Sequence, residues 1–224
     1  MKNMENNKEI EQSKLSFFGS ITAASTHEIK NSLAVMNEAI GFIEDIIVMS
    51  EQGMPLDNEL LKEQLTQLSR QVARSDMMLK KLSWFAHSID ERTEPVYIEE
   101  LIDNLIELSR HLSRAKKIEV QRGIVDSSVT LDYPSFHLQN IIFTCIASTI
   151  ATSDGNSIVT ISGQKVKNDK ARITITDSNI SSPESVEAQL PLLNSLMKEL
   201  GGELSVTSTS DIEDISVVLL VPTK

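Results

Sequence analysis

The chain has 224 residues, 40% of them hydrophobic, and 32 acidic side chains against 21 basic ones, for a formal net charge of −11. That length allows one or two domains with a sizeable core, and the acidic balance argues against nucleic-acid backbones and membrane surfaces as partners. The single Cys145 cannot close an internal disulfide and shows no metal-ligand spacing with the four histidines, which points to a reducing, cytoplasmic setting.

The first residues, MKNMENNKEIEQSK, lack the apolar core of a signal peptide, and no run of about 18 apolar residues follows that could span a bilayer. From residue 8 to about residue 50 the chain reads as one long helix. Leu15, Phe18, Thr22, Ser25, Ile29, Leu33, Met36, Ile40, Ile43 and Ile47 recur at steps of three or four and form one stripe. His27 lies two residues from both Ser25 and Ile29, about 200° round the axis, so it is expected to face solvent, away from the stripe.

Gly53-Met54-Pro55 ends this helix, and Asp57 or Asn58 can cap the next, which runs to about Ile89. In it Leu61, Leu65, Leu68, Val72, Ser75, Leu79, Leu82 and Ala86 alternate at four and three, a heptad seam. Two such helices joined by a short turn make an antiparallel hairpin, and each buries only part of the other's stripe. Two hairpins paired in a homodimeric four-helix bundle would close the core. The alternative is an intramolecular coiled coil packed on the rest of the chain.

The polar break Glu91-Arg92-Thr93-Glu94-Pro95 divides a helical domain, residues 1–92, from a second domain, residues 93–224. In the second, helices are predicted over 98–114, 135–152 and 186–200, the last closed by Gly201-Gly202. Strands are predicted over 118–123, 128–131, 157–166, 171–176, 203–207 and 215–221. That order predicts an α+β sandwich, with a mixed sheet on one side and helices on the other. Lys116-Lys117 reads as a solvated turn, and Cys145 as part of a buried helix.

The run HEIKNSL resembles the H-box of two-component sensor histidine kinases, H-E-[ILF]-[KR]-[NT]-P-L. Ser32 stands where that family usually has proline, which predicts a straighter helix after the histidine. The resemblance implies that His27 is the phosphoacceptor, Glu28 its acid/base neighbour, and Asn31 a group that positions water or a phosphoryl group. Lys30, one turn along, would offset phosphoryl charge, or is an ordinary solvated lysine. In such kinases a sensor precedes the H-box; the roughly 26 residues before His27 are too few for one, so input is expected from another protein.

The element order after Pro95 resembles the Bergerat-type ATP-binding domain of histidine kinases, with the nucleotide residues largely replaced. Thr144 and Ser148 stand where that family carries two asparagines, one of them a Mg²⁺ ligand. Asp177, the adenine-facing position, is kept, but Asp177-Ser178-Asn179-Ile180-Ser181 lacks both glycines of the D-x-G-x-G turn. Glu187-Ala188-Gln189-Leu190-Pro191 replaces a second glycine-rich turn, whose amides would cradle phosphate. Too few residues remain for a lid. The whole plan resembles the dimeric histidine phosphotransferases of phosphorelays. It implies a phosphotransferase that passes phosphoryl groups between His27 and the aspartate of response-regulator receiver domains. No cofactor is expected on this chain, the Mg²⁺ belonging to the receiver. Glu28 and Asn31 also fit the E-x-x-N pattern for dephosphorylating a receiver. The alternatives are a divergent ATP-dependent sensor histidine kinase and a non-catalytic dimeric scaffold that sequesters a receiver.

Overall fold

The computed structural model describes residues 2–89, 95–131, 135–153, 155–167, 170–177, 191, 193–198, 201–208 and 215–223. They form two compact units, one of residues 20–86 and one of residues 1–19 with 87–224. The N-terminal turns of the first helix therefore pack with the second unit.

Helix α1 runs Lys2–Glu51 and passes Ser32 without a break. A proline there would have removed an amide from the helix ladder; serine keeps it. Helix α2, Asn58–His87, starts as its sequence demands. The Asp57 carboxylate accepts hydrogen bonds from the amides of Glu59 and Leu60 at 3.1 and 3.0 Å, satisfying two of the donors that a helix N-terminus leaves open.

The seam inside this unit differs from the predicted stripe. On α1 the buried positions are Ile21, Ser25, Ser32, Ala39 and Ile46, while Leu33, Ile40 and Ile47 are exposed. On α2, Met78 and Phe85 are buried, whereas Leu65, Val72 and Leu79 are exposed. Of the residues predicted for the α1 stripe only Ser25 is fully buried, and of those predicted for the α2 seam none is.

The second unit is the expected α+β sandwich. Its elements are β1 (Val96–Tyr97), α3 (Ile98–Lys116), β2 (Glu119–Val125), β3 (Thr130–Leu131), α4 (Ser135–Thr152), β4 (Ile158–Val166), β5 (Lys170–Asp177), β6 (Glu203–Ser208) and β7 (Ile215–Pro222). The main sheet has the order β2-β4-β5-β7-β6, with β2 and β4 parallel and the other neighbours antiparallel. β1 pairs with β3 in a separate two-stranded sheet. Its two residues are too short for an alternation signal, and the sequence did not announce them. Of the last predicted helix, residues 191 and 193–198 are helical; its other residues lie outside the described ones.

Alternation explains the layers. Val159 and Ile161 of β4, Ala171, Ile173 and Ile175 of β5, and Leu219 and Val221 of β7 are buried on one face. Ile102 and Leu105 of α3, Leu138, Ile142 and Cys145 of α4, and Leu193 and Leu196 complete the core. Burial pushes the Cys145 thiol up to about 12, so it is packing rather than chemistry. Lys116 is more than a solvated turn: its ammonium donates to the carbonyls of Ala151 at 2.5 Å and Ser153 at 3.0 Å, closing the C-terminal end of α4. Lys117 takes the left-handed conformation that ends α3, at φ 57°.

Helix α4 is apolar almost all round, and such a helix must be covered all round. The face away from the sheet carries Phe136 and Phe143. The ring of Phe17, from α1, lies 5.5 and 5.1 Å from theirs, and Phe17 and Ile10 are themselves buried.

Candidate functional site

Two places carry the residues singled out above, one in each unit. On the helical hairpin, His27 is exposed, as its position opposite the seam required. Asn31, one turn on, places its amide nitrogen 3.2 Å from Nδ1 of the imidazole. Residues four apart share a helix face, so this contact follows from the spacing alone. It leaves Nε2 as the ring nitrogen not engaged by Asn31. Lys30 is exposed on the same turn.

Glu28 behaves differently from its neighbours. Its side chain is only 14% exposed and pairs with the guanidinium of Arg74 on α2, which is 40% exposed. His27 and Asn31 therefore meet each other, while Glu28 is tied across the hairpin. Arg74 is the residue that reading the sequence missed. One signal was present: position 28 lies between the seam positions 25 and 32, and a half-buried carboxylate there calls for a cation on the opposing helix.

In the α/β unit, the positions that the resemblance assigns to nucleotide are Thr144, Ser148 and Asp177. The Thr144 hydroxyl donates to the side-chain oxygen of Asn140 at 3.3 Å, and the Ser148 hydroxyl to the carbonyl of Thr144 at 2.7 Å. Both acceptors lie one turn back on the same helix; the Ser148 bond is the usual back-bonding of a hydroxyl in a helix interior, while Thr144 bonds a side chain. The Asn140 amide in turn lies 3.5 Å from the hydroxyl of Ser13. Asp177 closes β5, paired in register with Val159 and Ile215, and is fully buried. Ser178, Asn179, Ile180, Ser181, Glu187, Ala188, Gln189 and Leu190, which replace the family's glycine-rich turns, lie outside the described residues. So does the segment where a lid would sit. Among the described residues, no group of three or more His, Cys, Asp or Glu side chains is placed to hold a metal ion. None of the described helices is long and apolar enough to cross a membrane.

Comparison with solved structures places the architecture. The catalytic domain of histidine kinase ThkA, in a nucleotide-free form, matches with a TM-score of 0.51 at 12% identity, over 59% of this chain and 97% of that one. The fold is the histidine-kinase fold. Histidine kinase ThkA in complex with the response regulator protein TrrA matches over 100% of this chain and 67% of that one, with a TM-score of 0.51 at 16% identity. Full-length ShkA in complex with AMPPNP matches over 87% of this chain and 46% of that one, with a TM-score of 0.52 at 14% identity. No protein-family model and no curated protein sequence matches the chain. At these identities the likeness concerns the fold, and function has to be argued from the site.

Proposed function

We propose that this chain is a histidine phosphotransferase of a two-component phosphorelay, exchanging a phosphoryl group between His27 and the aspartate of response-regulator receiver domains without binding ATP. The observation that carries this reading is the exposed imidazole of His27 with Nδ1 taken by Asn31. An imidazole nitrogen is a nucleophile only when it bears no proton, so the proton of the neutral ring must sit on Nδ1 for Nε2 to react. The Asn31 amide can present either its nitrogen or its oxygen to that site, because the two ends are interchangeable in shape. With the oxygen turned inward, Asn31 accepts from Nδ1–H and fixes the reactive tautomer.

Transfer then balances simply. The Nε2 lone pair forms the bond to phosphorus, and the bond from phosphorus to the aspartyl oxygen breaks. Its electron pair leaves on the receiver's carboxylate. The Nδ1 proton stays, so the ring carries a positive charge and remains a good donor for the reverse step. Phosphoryl transfer needs chiefly in-line positioning and charge neutralisation. The receiver brings its aspartate and Mg²⁺, Lys30 adds positive charge beside the acceptor, and this chain needs no cofactor.

The hairpin is proposed to act as a homodimer. Leu33, Ile40 and Ile47 on α1 and Leu65, Val72 and Leu79 on α2 are exposed and recur every seven residues, the spacing of a coiled-coil face without its partner. A second copy offers the same ladders and closes both symmetrically.

One observation favours a second reading, an ATP-dependent histidine kinase: Asp177 is kept and buried at the end of β5, in a fold shared with histidine kinase catalytic domains. Radiolabel experiments separate the two. A phosphorylated receiver is expected to label His27, radiolabelled ATP is expected not to, and His27→Gln is expected to abolish all labelling. Label from ATP on His27 would establish the kinase reading instead. No label from ATP or from any phosphorylated receiver would leave the dimeric scaffold.

A further inference from the structure

Gln139 of α4 is fully buried, and neither its amide nitrogen nor its amide oxygen has a hydrogen-bond partner. We propose that the start of α1, residues 10–17, is a reversible clasp on α4 rather than a fixed part of the α/β core, and that Gln139 is the residue that keeps it reversible. The clasp does not depend on the phosphotransferase reading, and its test needs no phosphoryl donor.

The location follows from helix spacing. Phe136, Gln139 and Phe143 stand at i, i+3 and i+7 on α4 and so share one face. Phe17 of α1 lies against both phenylalanines of that face, with ring centroids 5.5 and 5.1 Å apart. His111 of α3 stacks on Phe143 at 6.5 Å. Gln139 is therefore on the face that the start of α1 covers, where three helices meet. On α1, Ile10, Ser13, Lys14 and Phe17 share one face by the same spacing, and of these only Ile10 and Phe17 are apolar anchors. The hydroxyl of Ser13 accepts from the Asn140 amide at 3.5 Å, the outer limit of a hydrogen bond. The Lys14 side chain is 18% exposed, and its ammonium pairs at 2.9 Å with the exposed carboxylate of Glu11, on α1 itself rather than on α4.

Two buried apolar side chains thus hold the segment down. Against them stands an amide with two donor hydrogens and an acceptor oxygen, all cut off from water when the clasp is closed. A buried polar group without a partner bears its full desolvation cost. In the open form water reaches the amide and removes that cost, so the penalty falls on the closed form alone. A removable contact needs such a bias. The chain also provides a place to part. Gly19 ends the segment of α1 that belongs to the α/β unit, and glycine is the weakest helix former after proline. The same helix carries His27 ten residues beyond Phe17. Opening the clasp therefore releases the start of the acceptor helix from the α/β unit.

The test is amide hydrogen exchange in the full chain, resolved to residues 10–17, with strand β5 as the reference for global unfolding. In the parent, residues 10–17 are expected to exchange faster than β5, through local opening. Gln139→Met keeps the length and unbranched shape of the side chain and removes the amide. It is expected to slow exchange over 10–17 by roughly tenfold to a hundredfold, the range set by one or two unpartnered polar groups. Gln139→Glu places a charge at the same point and is expected to speed that exchange by roughly tenfold or more. Exchange over α2 is expected to stay at the parent level in both. A parent in which residues 10–17 exchange only at the β5 rate would overturn the proposal, because the segment would then open only with the whole unit. Faster exchange over 10–17 in Gln139→Met would overturn it too, since the amide would then be bonded in the closed form. Unchanged exchange in that variant would do the same, since the cost of the amide would then be shared by the open form.

Discussion

The two units solve the burial problem to different degrees. The α/β unit buries Ile102, Leu105, Leu138, Ile141, Ile142, Ile161 and Ile175 completely, and even its central helix is covered on the outer face. The hairpin buries Ile21, Ser25, Ser32, Ala39, Ile46, Met78 and Phe85 and leaves six large aliphatics at heptad spacing exposed. The residues with candidate chemistry follow the same division. His27 is accessible on the unit with the unfinished core. Asp177 is buried in the unit with the finished one, where the Thr144 and Ser148 hydroxyls are bonded within their own helix. The division is one of apolar burial and not of polar satisfaction, since both ends of the Gln139 amide are buried in the α/β unit without a hydrogen-bond partner.

The sharpest way to break that contrast is to charge the exposed ladders. Ile40→Lys combined with Val72→Lys is expected to abolish self-association, seen by sedimentation or light scattering as a shift from dimer to monomer at micromolar concentration. Both side chains are already about half exposed, at 45% and 56%, so the individual helices should tolerate the change. A parent chain that remains monomeric at about 100 μM, a concentration where even weak coiled-coil dimers form, would remove the dimer and with it the account of the exposed ladders.

A smaller effect tests whether the α/β unit is finished without the start of α1. Phe17 is 4% exposed and sits between Phe136 and Phe143. Truncating a buried aromatic leaves a cavity and typically costs about 3–5 kcal/mol. Phe17→Ala is therefore expected to lower the unfolding free energy of the α/β unit by that order, read from its denaturant transition, with new binding of a hydrophobic dye at the uncovered rings. An effect confined to the helical hairpin would show that residues 1–19 belong with the other unit.

The same contrast explains what could be read from the residues beforehand. Helix α4 was expected over 135–152 and runs Ser135–Thr152, because an apolar run of that length, bounded by a proline and a polar turn, has one good solution. The β4–β5 hairpin follows from alternation on both sides of Asn168-Asp169. The phase of the hairpin seam was only half legible. Hydropathy gives weight to Leu33 and Ile40, whereas the buried positions are Ser32 and Ala39. At the candidate site, the exposure of His27 and the His27–Asn31 contact follow from positions along one helix. Arg74 could not be found in this way, since it depends on how two helices align 46 residues apart in sequence.

The smallest of these tests concerns how much of the hairpin is held locally. One carboxylate oxygen of Asp57 caps α2 by accepting two hydrogen bonds, and its charge also faces the positive end of the helix. Replacing such a cap by alanine costs about 1 kcal/mol. Asp57→Ala is expected to lower the stability of the hairpin by that amount, read from its melting transition, and Asp57→Ser to recover most of it by restoring an acceptor without the charge. The comparison with Phe17→Ala is the informative part. If the hairpin core is completed only by a second copy, the transition of parent and variant alike rises with protein concentration, because unfolding and dissociation are then linked. If the hairpin stands alone, both transitions are the same at every concentration, and the exposed ladders need an explanation other than self-association.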